Sequence, residues 1–463
     1  MTTLVGILAH VGLILGFLLA VLMLAHIIRQ KRSPSGTIAW LLIIVLLPYV
    51  GVPLYLMLGG RKLRRKAERK RSLGLEETHA LPLEEATVTD RLLRSYGIPG
   101  ATSGNRVTLC RTGEDAYARL VELIEGASET IHIAMFIFHL DKVGKDILQR
   151  LVRRAADGVQ VRLLLDSVGS MYTTRRRLRS LTRAGGHVAF FMPVLHIPFR
   201  GRTNLRNHRK IVVADGQLAM AGGANIASEY IGPVPKEGRW HDLSFILEGP
   251  AVRNYAELFN QDWEFATGQK LTPPPVIQPI TDNGDGAMVQ VVPSGPDVSG
   301  DVLYDTFLSV VFEAKKRLWI VTPYFVPDEA LTKALRLAAH RGVDVRILLP
   351  AKSNHRLIDL ARGTYLREIQ TAGGKVLLFT EGMIHAKIML MDDELAVIGS
   401  ANMDIRSLFL NFEAAMFIYT PPEICATEAW VNNLMAGLQP GIRKIGTIRD
   451  FCESIVRMMA PLL

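Results

Sequence analysis

Two short stretches of this sequence pair a histidine with a lysine two residues on and an aspartate five beyond that. They are His208-Arg209-Lys210 with Asp215, and His385-Ala386-Lys387 with Asp392. Side chains alternate along an extended strand, so the His and Lys of each stretch share a face. A lysine so placed depresses the imidazolium pKa and brings a positive charge to a phosphate oxygen. Each aspartate is followed at the same distance by a glycine-rich trailer, Gly222-Gly223-Ala224-Asn225 or Gly399-Ser400-Ala401-Asn402. Backbone approaches a ligand closely at such glycines, and the Asn225 and Asn402 amides suit the remaining phosphoryl oxygens as substrate-binding groups. Donors gathered in this way offset the negative charge with which a phosphodiester repels nucleophiles. Two histidines then suit two roles. One attacks phosphorus and becomes a phosphohistidine; the other protonates the leaving alkoxide and deprotonates the incoming hydroxyl. Asp242 and Glu413, which follow the two motifs by 27 and 21 residues, are the candidate carboxylates to orient the nucleophile. Asp215 and Asp392 complete the repeated catalytic motifs, but bracing the halves or a turn suits them better than meeting substrate. His187, His196, His241 and His355 have no such pairing and read as surface or hydrogen-bonded histidines. No metal and no cofactor is expected, because no H-E-x-x-H, carboxylate-rich loop or paired Cys/His spacing occurs.

The elements that must carry these residues alternate β-rich runs with helical patterns, which predicts an α/β fold. Strands are expected at 130–138, 159–165, 188–192, 210–213, 317–321, 343–349, 375–379 and 387–391, and helices at 114–125, 145–156, 329–340 and 356–371. The chain also repeats itself. Residues 158–165 (GVQVRLLL) resemble 342–349 (GVDVRILL), and Ala184-Gly185-Gly186 matches Ala372-Gly373-Gly374. The glycines are offset by 188 residues and the histidines by 177, so the first copy carries about eleven extra residues within 196–207. Two like halves most simply pack about a pseudo-twofold axis that brings equivalent residues together.

Length and composition agree. At 463 residues the chain exceeds one ordinary domain, and with 49% hydrophobic and 21% charged residues it is neither disordered nor strongly polar. Three scattered cysteines make no disulfide framework. A net charge of +10 suits an anionic partner, nucleic acid or membrane. Residues 3–28 and 37–58 carry no charged side chain, and each is long enough to enter a bilayer. Trp40 and Tyr55 lie near the two ends of the second stretch, as in interfacial belts. Pro48, Gly51 and Pro53 within it predict a kink or a segment that does not fully cross. A signal peptide is disfavoured, since there is no basic leader and a second apolar stretch follows. His10 and His26 read as interfacial. Eight Lys/Arg and one Glu fill 61–71, so the positive-inside rule puts the C-terminal bulk in the cytoplasm. The run also suits anionic headgroups. The domains read as a two-helix membrane anchor (1–60), a basic segment and linker (61–104), a first half (105–275) and a second half (276–463). Near the end, Ile448, Phe451, Cys452, Ile455, Val456 and Met459 share one helical face, and Arg449, Asp450, Glu453 and Arg457 the other. That helix is expected to dock on the enzyme core or to lie in the membrane interface.

The doubled H-x-K-x4-D resembles the signature of the phospholipase D superfamily. Asn204–Ile211 (NLRNHRKI), Ser228–Gly232 (SEYIG), Thr322–Pro327 (TPYFVP), Ile384–Lys387 and the run from Gly399 to Ser407 and on to Asn411-Phe412-Glu413 are similar to bacterial cardiolipin synthases, over nearly the whole chain. The resemblance implies two α/β/α sandwich halves with mixed sheets and one active site between them. It implies transfer of a phosphatidyl group from one phosphatidylglycerol to the hydroxyl of another at the bacterial inner membrane, with release of glycerol. His208 becomes the nucleophile and His385 the general acid/base. His241-Asp242 stands where relatives often have Arg-Asp, which bears on a phosphate contact. The expected partners are phosphatidylglycerol and anionic membrane lipids, not nucleic acid: there is no basic patch interleaved with aromatics for stacking bases. A hydrolase of the same superfamily would share every one of these residues, and the second lipid and the oligomeric state stay open. A scaffold with a retired site is disfavoured, since the two His, Lys, Asp and Asn are all intact.

Overall fold

The computed structural model describes residues 16–18, 21, 23, 27, 34–58, 75, 79–192, 205–280, 286–442 and 445–459. The first half contributes strands β1 (Thr102–Cys110), β2 (Thr130–Met135), β3 (Gln160–Asp166), β4 (His187–Phe191), β5 (Ile211–Ala214), β6 (Leu218–Gly222) and β7 (Ser244–Glu248). The second contributes β8 (Ala287–Ser294), β9 (Arg317–Val321), β10 (Phe325–Val326), β11 (Asp344–Pro350), β12 (Lys375–Phe379), β13 (Ile388–Met391), β14 (Leu395–Gly399), β15 (Met403–Asp404) and β16 (Glu413–Ile418). Fourteen of these form one sheet in the order β12-β11-β9-β13-β14-β16-β8-β1-β7-β6-β5-β2-β3-β4, while β10 and β15 pair separately. The order reads the same outward from its middle: β8 answers β1, β16 answers β7, and so on to β12 and β4. The duplicated sequence has therefore built two seven-stranded half-sheets joined edge to edge. That junction also removes two exposed edges that would invite aggregation.

At the joint β1 runs antiparallel to β8, with Thr102 opposite Val289 and Asn105 opposite Ala287. Asn105 secures it. Its Nδ2 donates to the Ala287 carbonyl at 3.2 Å, and its Oδ1 accepts from the Ala251 N–H at 2.9 Å. Three apolar layers follow. One is shared by both halves, with Phe245, Tyr255, Phe259 and Trp263 in the same cluster as Val289, Met416, Trp430 and Val431. The helices Val252–Thr267 and Pro421–Met435 supply its outer wall. The opposite face is covered half by half. Helices Gly113–Gly126 and Lys142–Ala156 pack on the first half, and Val302–Glu313, Glu329–His340 and Arg356–Thr371 on the second. Each half is thus a sheet covered on both faces. The helix starts are written locally. The Thr112 hydroxyl accepts from the Asp115 N–H, Asp141 from Val143 and Gly144, and Asp328 from Leu331.

The strands and helices expected between 114 and 391 are all present within a few residues. The strand expected at 130–138 ends at Met135, because Phe136 to Phe138 leave the sheet toward the site. Three readings need correction. First, the supposed linker 72–105 contains the helix Val88–Ser95, capped by Thr87. Leu93 within it and Ile98 and Ala101 beyond it are buried in the second half's core. Three apolar side chains are too few to show a period, yet enough to seat the segment. Second, the kink expected within 37–58 is present, but it brings the two ends of the stretch together. Helices Pro34–Leu46 and Pro48–Leu58 meet at Leu47. Trp40 and Tyr55, expected near opposite ends, touch edge to face with centroids 5.2 Å apart. Gly51 makes the fold-back possible, since a Cβ there would lie 2.7 Å from the Ile43 carbonyl oxygen. Among the described residues no helix is long and apolar enough to cross a membrane. The first stretch falls mostly outside the described residues, as do His10, His26, His196 and the basic run 61–71.

Third, the C-terminal helix Thr447–Met459 docks on the helix Arg356–Thr371, but through its charged face. Glu453 is buried and takes Arg367 at 2.8 Å and Arg449 at 3.0 Å; Arg457 takes Glu368 at 2.5 Å and lies over the Tyr365 ring. The small Gly363 leaves the room that the Glu453 carboxylate fills. Ile448, Phe451 and Ile455 face outward, and Val456 packs inward.

Candidate active site

Both motifs lie where the two half-sheets meet, and the halves exchange partners there. The residue before His208 forms a parallel bridge with the residue before Glu413: Asn207 with Phe412. The residue before His385 does the same with the residue before Asp242: Ile384 with His241. The His208 N–H donates to the Phe412 carbonyl at 2.9 Å, and the His385 N–H to the His241 carbonyl at 2.7 Å. These two pairings bring each histidine to the other half's carboxylate. His208 Nδ1 lies 3.0 Å from Glu413, and His385 Nδ1 lies 2.7 Å from Asp242 Oδ2. An ionised carboxylate only accepts, so in both rings Nδ1 carries the proton and Nε2 has its lone pair for substrate.

Burial and charge set the protonation. Burial lowers His208 to about 4, although Glu413 pulls the other way, and Lys210 lowers it further. Burial and then Lys387 take His385 down to about 3. Burial opposes ionisation of Glu413, but His208, Lys210 and the Ser400 hydroxyl together outweigh it and hold the carboxyl below the ordinary glutamate value. Asp242 behaves likewise, with Lys387 and His385 overcoming its burial. At neutral pH the site thus holds two neutral imidazoles beside two carboxylates. Both lysines are buried, and burial lowers both: Lys387 to about 8, Lys210 well below the ordinary lysine value. Lys210 Nζ donates to the His208 carbonyl at 2.7 Å and lies 5.4 Å from the centroid of the Phe136 ring. Lys387 donates to the His385 carbonyl and also lies 2.8 Å from Nδ1 and 3.2 Å from Nε2 of that ring. An entering anion would favour the charged form of each lysine.

The two asparagines are both buried but are not equivalent. Asn225 Oδ1 accepts from the Ile137 N–H at 3.1 Å, which leaves the Nδ2 end as its donor. Asn402 Oδ1 has no hydrogen-bond partner among the described residues. Asp215 and Asp392 lie elsewhere, at the far ends of β5 and β13 from the lysines. Each takes a positive φ, +52° and +47°. Asp215 accepts from the N–H groups of Ser128, Glu129 and Thr130, and Asp392 from those of Lys315, Lys316 and Arg317, all within 2.9 Å. Each holds a turn that anchors β2 or β9, and each stays within its own half.

Several contributors escaped the sequence reading. The Ser400 hydroxyl donates to Glu413 Oε2 at 2.5 Å, and its carbonyl lies 3.1 Å from His208 Nδ1. Its counterpart Gly223 is glycine because a Cβ there would lie 2.1 Å from Asp242 Oδ1. The one difference between the two trailers, Gly223 against Ser400, was the available signal. Arg209, the residue between His208 and Lys210, is wholly buried. It reaches Asp262 at 2.8 Å, Asp297 at 3.4 Å and the Glu413 carbonyl at 3.0 Å. The second copy has Ala386 there, and that inequality too was legible. Phe136 packs edge-on against His208 at 4.7 Å, and Tyr230 against His385 at 5.0 Å. His241 contributes its backbone to the His385 pairing, while its ring packs against Phe379.

Comparison with known proteins places this geometry. Residues 120–263 and 308–435 match a family model described as cardiolipin synthase, PLD-like domain. Residues 18–60 match one described as phospholipase D-nuclease N-terminal. The major cardiolipin synthase ClsA of Bacillus subtilis is 35% identical over 489 residues, covering 99% of each protein. The cardiolipin synthase of Halalkalibacterium halodurans is 35% identical over 457 residues, covering 94% of this chain and 91% of its own. Among solved structures, the phosphatidylserine synthase of Haemophilus influenzae shares the fold with a TM-score of 0.59 at 15% identity. It covers 81% of this chain and 98% of its own.

Proposed function

This chain belongs to the cardiolipin synthase, PLD-like domain family, and on that premise we propose that it joins two phosphatidylglycerol molecules into cardiolipin and releases glycerol. It is a phosphatidyltransferase. In the proposed course, His208 Nε2 attacks the phosphorus of the first lipid while Glu413 holds the Nδ1 proton. The bond to the glycerol headgroup oxygen breaks, and the Lys387 ammonium, 3.2 Å from His385 Nε2, supplies through that nitrogen the proton that leaves with the glycerol, to be recharged in the second step. His385 then accepts the proton of the second lipid's headgroup hydroxyl. That oxygen attacks phosphorus, the P–N bond to His208 breaks, and cardiolipin departs. Lys210, Lys387, Asn225 and Asn402 serve the phosphoryl oxygens.

The observation that carries this reading is the crossed pairing, in which each imidazole is fixed through Nδ1 by a carboxylate from the opposite half. The choice of His208 as nucleophile draws support from its carboxylate. Glu413 is held by Ser400 and by Asn411 Nδ2 at 3.3 Å, whereas His385 shares its ring with Lys387, which favours the proton-shuttling role. Residues 1–60 we assign as an anchor in a bacterial inner membrane, with the catalytic halves on the cytoplasmic side. The uncharged stretches, the basic run after them and the match at 18–60 support that assignment. The fold-back at Leu47 supports a second segment that enters the bilayer without running straight through it.

The test is product analysis with the full chain in micelles of phosphatidylglycerol, beside His208→Ala and His385→Ala. Cardiolipin and glycerol from wild type, and neither from the variants, is the expected result. Phosphatidic acid as the main product would make the enzyme a hydrolase and overturn the transfer reading.

A further inference from the structure

Residues 167–214 contain nine arginines, one lysine and no aspartate or glutamate. That surplus equals the net charge of the entire chain, +10, so the remainder is balanced. Half of that surplus is displayed at one place, the loop and short helix between β3 and β4, while Arg206, Arg209 and Lys210 are buried. Arg175, Arg176, Arg177, Arg179 and Arg183 are all exposed there. Arg175 bonds the Val188 carbonyl at 3.3 Å, while the side chains of the other four make no ion pair among the described residues. A merely solvated basic face would have no use for apolar groups. Yet Met171 is 59% exposed and Tyr172 68% exposed at the tip of the same loop.

The loop is rooted beside the reacting groups. Asp166 Oδ1 accepts from Val168 and Gly169 at 2.8 and 3.0 Å, and its Oδ2 accepts from the N–H of Asn207, the neighbour of His208, at 3.0 Å. The Ser170 hydroxyl donates to the Phe136 carbonyl at 2.9 Å, and the Phe136 ring lies against His208. Thr173 donates to the Phe138 carbonyl at 2.5 Å. The root is therefore fixed both to the residue before His208 and to the segment that follows β2, while the tip carries cations around two apolar side chains.

We propose that this loop is the surface by which the mouth of the site docks on an anionic lipid interface. Met171 and Tyr172 enter the headgroup region, and the arginines face the lipid phosphates. The proposal deepens the lipid reading above by naming the contact through which that site meets its substrate pool. Bidentate guanidinium contacts favour phosphate over a zwitterionic surface whose own cations compete.

The experiment replaces Tyr172 with Trp in the full chain and reconstitutes it in nanodiscs of brominated phosphatidylglycerol or brominated phosphatidylcholine. Wild-type emission is subtracted as background. The expected result is quenching of the new tryptophan in phosphatidylglycerol discs and little in phosphatidylcholine discs. It should be lost in about 0.5 M NaCl, where screening is strong, and lost on adding Arg176→Gln, Arg177→Gln and Arg179→Gln. No quenching in phosphatidylglycerol, or equal quenching in both lipids untouched by the glutamines, overturns the proposal. So does an emission shift caused by a single-stranded oligonucleotide but not by phosphatidylglycerol. The readout is contact rather than turnover, so a failed transferase assay and a failed docking test remain separate results.

Discussion

Asp242 Oδ2 and His385 Nδ1 stand 2.7 Å apart although 143 residues and the junction between two half-sheets separate them along the chain. The mirror pair, His208 and Glu413, is separated by 205 residues. Each histidine meets a carboxylate from the opposite half. Both pairs thus depend on the contact between the half-sheets, through the bridges Asn207–Phe412 and His241–Ile384.

Glu413→Gln and Asp242→Asn keep the side-chain shapes and remove the negative charge. Each should lower kcat by about 10²-fold or more, in line with the loss of a charge that holds a catalytic imidazole in its tautomer. KM for phosphatidylglycerol should change little. Steady-state cardiolipin formation measures both, and a kcat within a few-fold of wild type would rule the pairing out as a catalytic device.

Stability should depend on the two histidines below neutral pH. Their folded pKa values are about 4 and about 3, against about 6.5 in an unfolded chain. As pH falls through that interval the unfolded chain binds protons that the folded site refuses, so stability drops there and is unaffected above it. Glu413 and Asp242, held below their ordinary values, contribute stability above about pH 4 that is lost on further acidification. Thermal melts of wild type and of His208→Gln/His385→Gln across this range should show a shallower slope in the variant. At the other end, Lys387 loses its charge near pH 8, so kcat/KM should fall as pH rises past that value.

Arg209→Leu should destabilise the protein by about 3–5 kcal/mol, since it leaves the Asp262 and Asp297 carboxylates buried without their cation. Arg209 also bonds the Glu413 carbonyl, so activity should fall in the molecules that remain folded. Denaturant titration is the measurement. Arg209→Lys should recover part of the stability and little of the geometry, because one ammonium cannot reach three acceptors as the guanidinium fork does.

Asp215→Ala and Asp392→Ala should act on folding rather than on chemistry. Each removes an acceptor shared by three N–H groups and puts alanine at a positive φ. A loss of about 1–3 kcal/mol is expected, with kcat near wild type once the folded fraction is accounted for. A kcat that collapses while the melting curve stays unchanged would return these residues to the catalytic group.

Much of this was legible in the sequence, because the duplication states itself twice. Equal spacing from His208 to Asn225 and from His385 to Asn402 marked residues that the structure brings to the junction, and apolar runs such as 317–321 and 375–379 marked buried strands. The exchange of carboxylates was not legible, since nothing local to Asp242 or Glu413 records which histidine it meets; long-range sheet register decides that. Strands β6, β7, β14 and β16 also escaped, being short, wholly apolar or glycine-ended and so without alternation. The orientation of the C-terminal helix defeated the rule that apolar faces turn inward. Glu453, Arg367, Glu368 and Arg457 pair across the helix contact and turn Glu453 inward, while Arg449 and Asp450 of the same face stay exposed.

A protein made of one such half would own a histidine without its carboxylate and a carboxylate without its histidine. It could react only as a pair of copies, and its activity would vanish with the square of its concentration on dilution. Joining the halves through residues 268–286 replaces that encounter with a tether, so the site is assembled at a fixed effective concentration in every molecule. It also frees the two copies to diverge. Ser400 beside a glutamate on one side and Gly223 beside an aspartate on the other are the trace of that freedom: two histidines once bound to be identical have become an unequal pair.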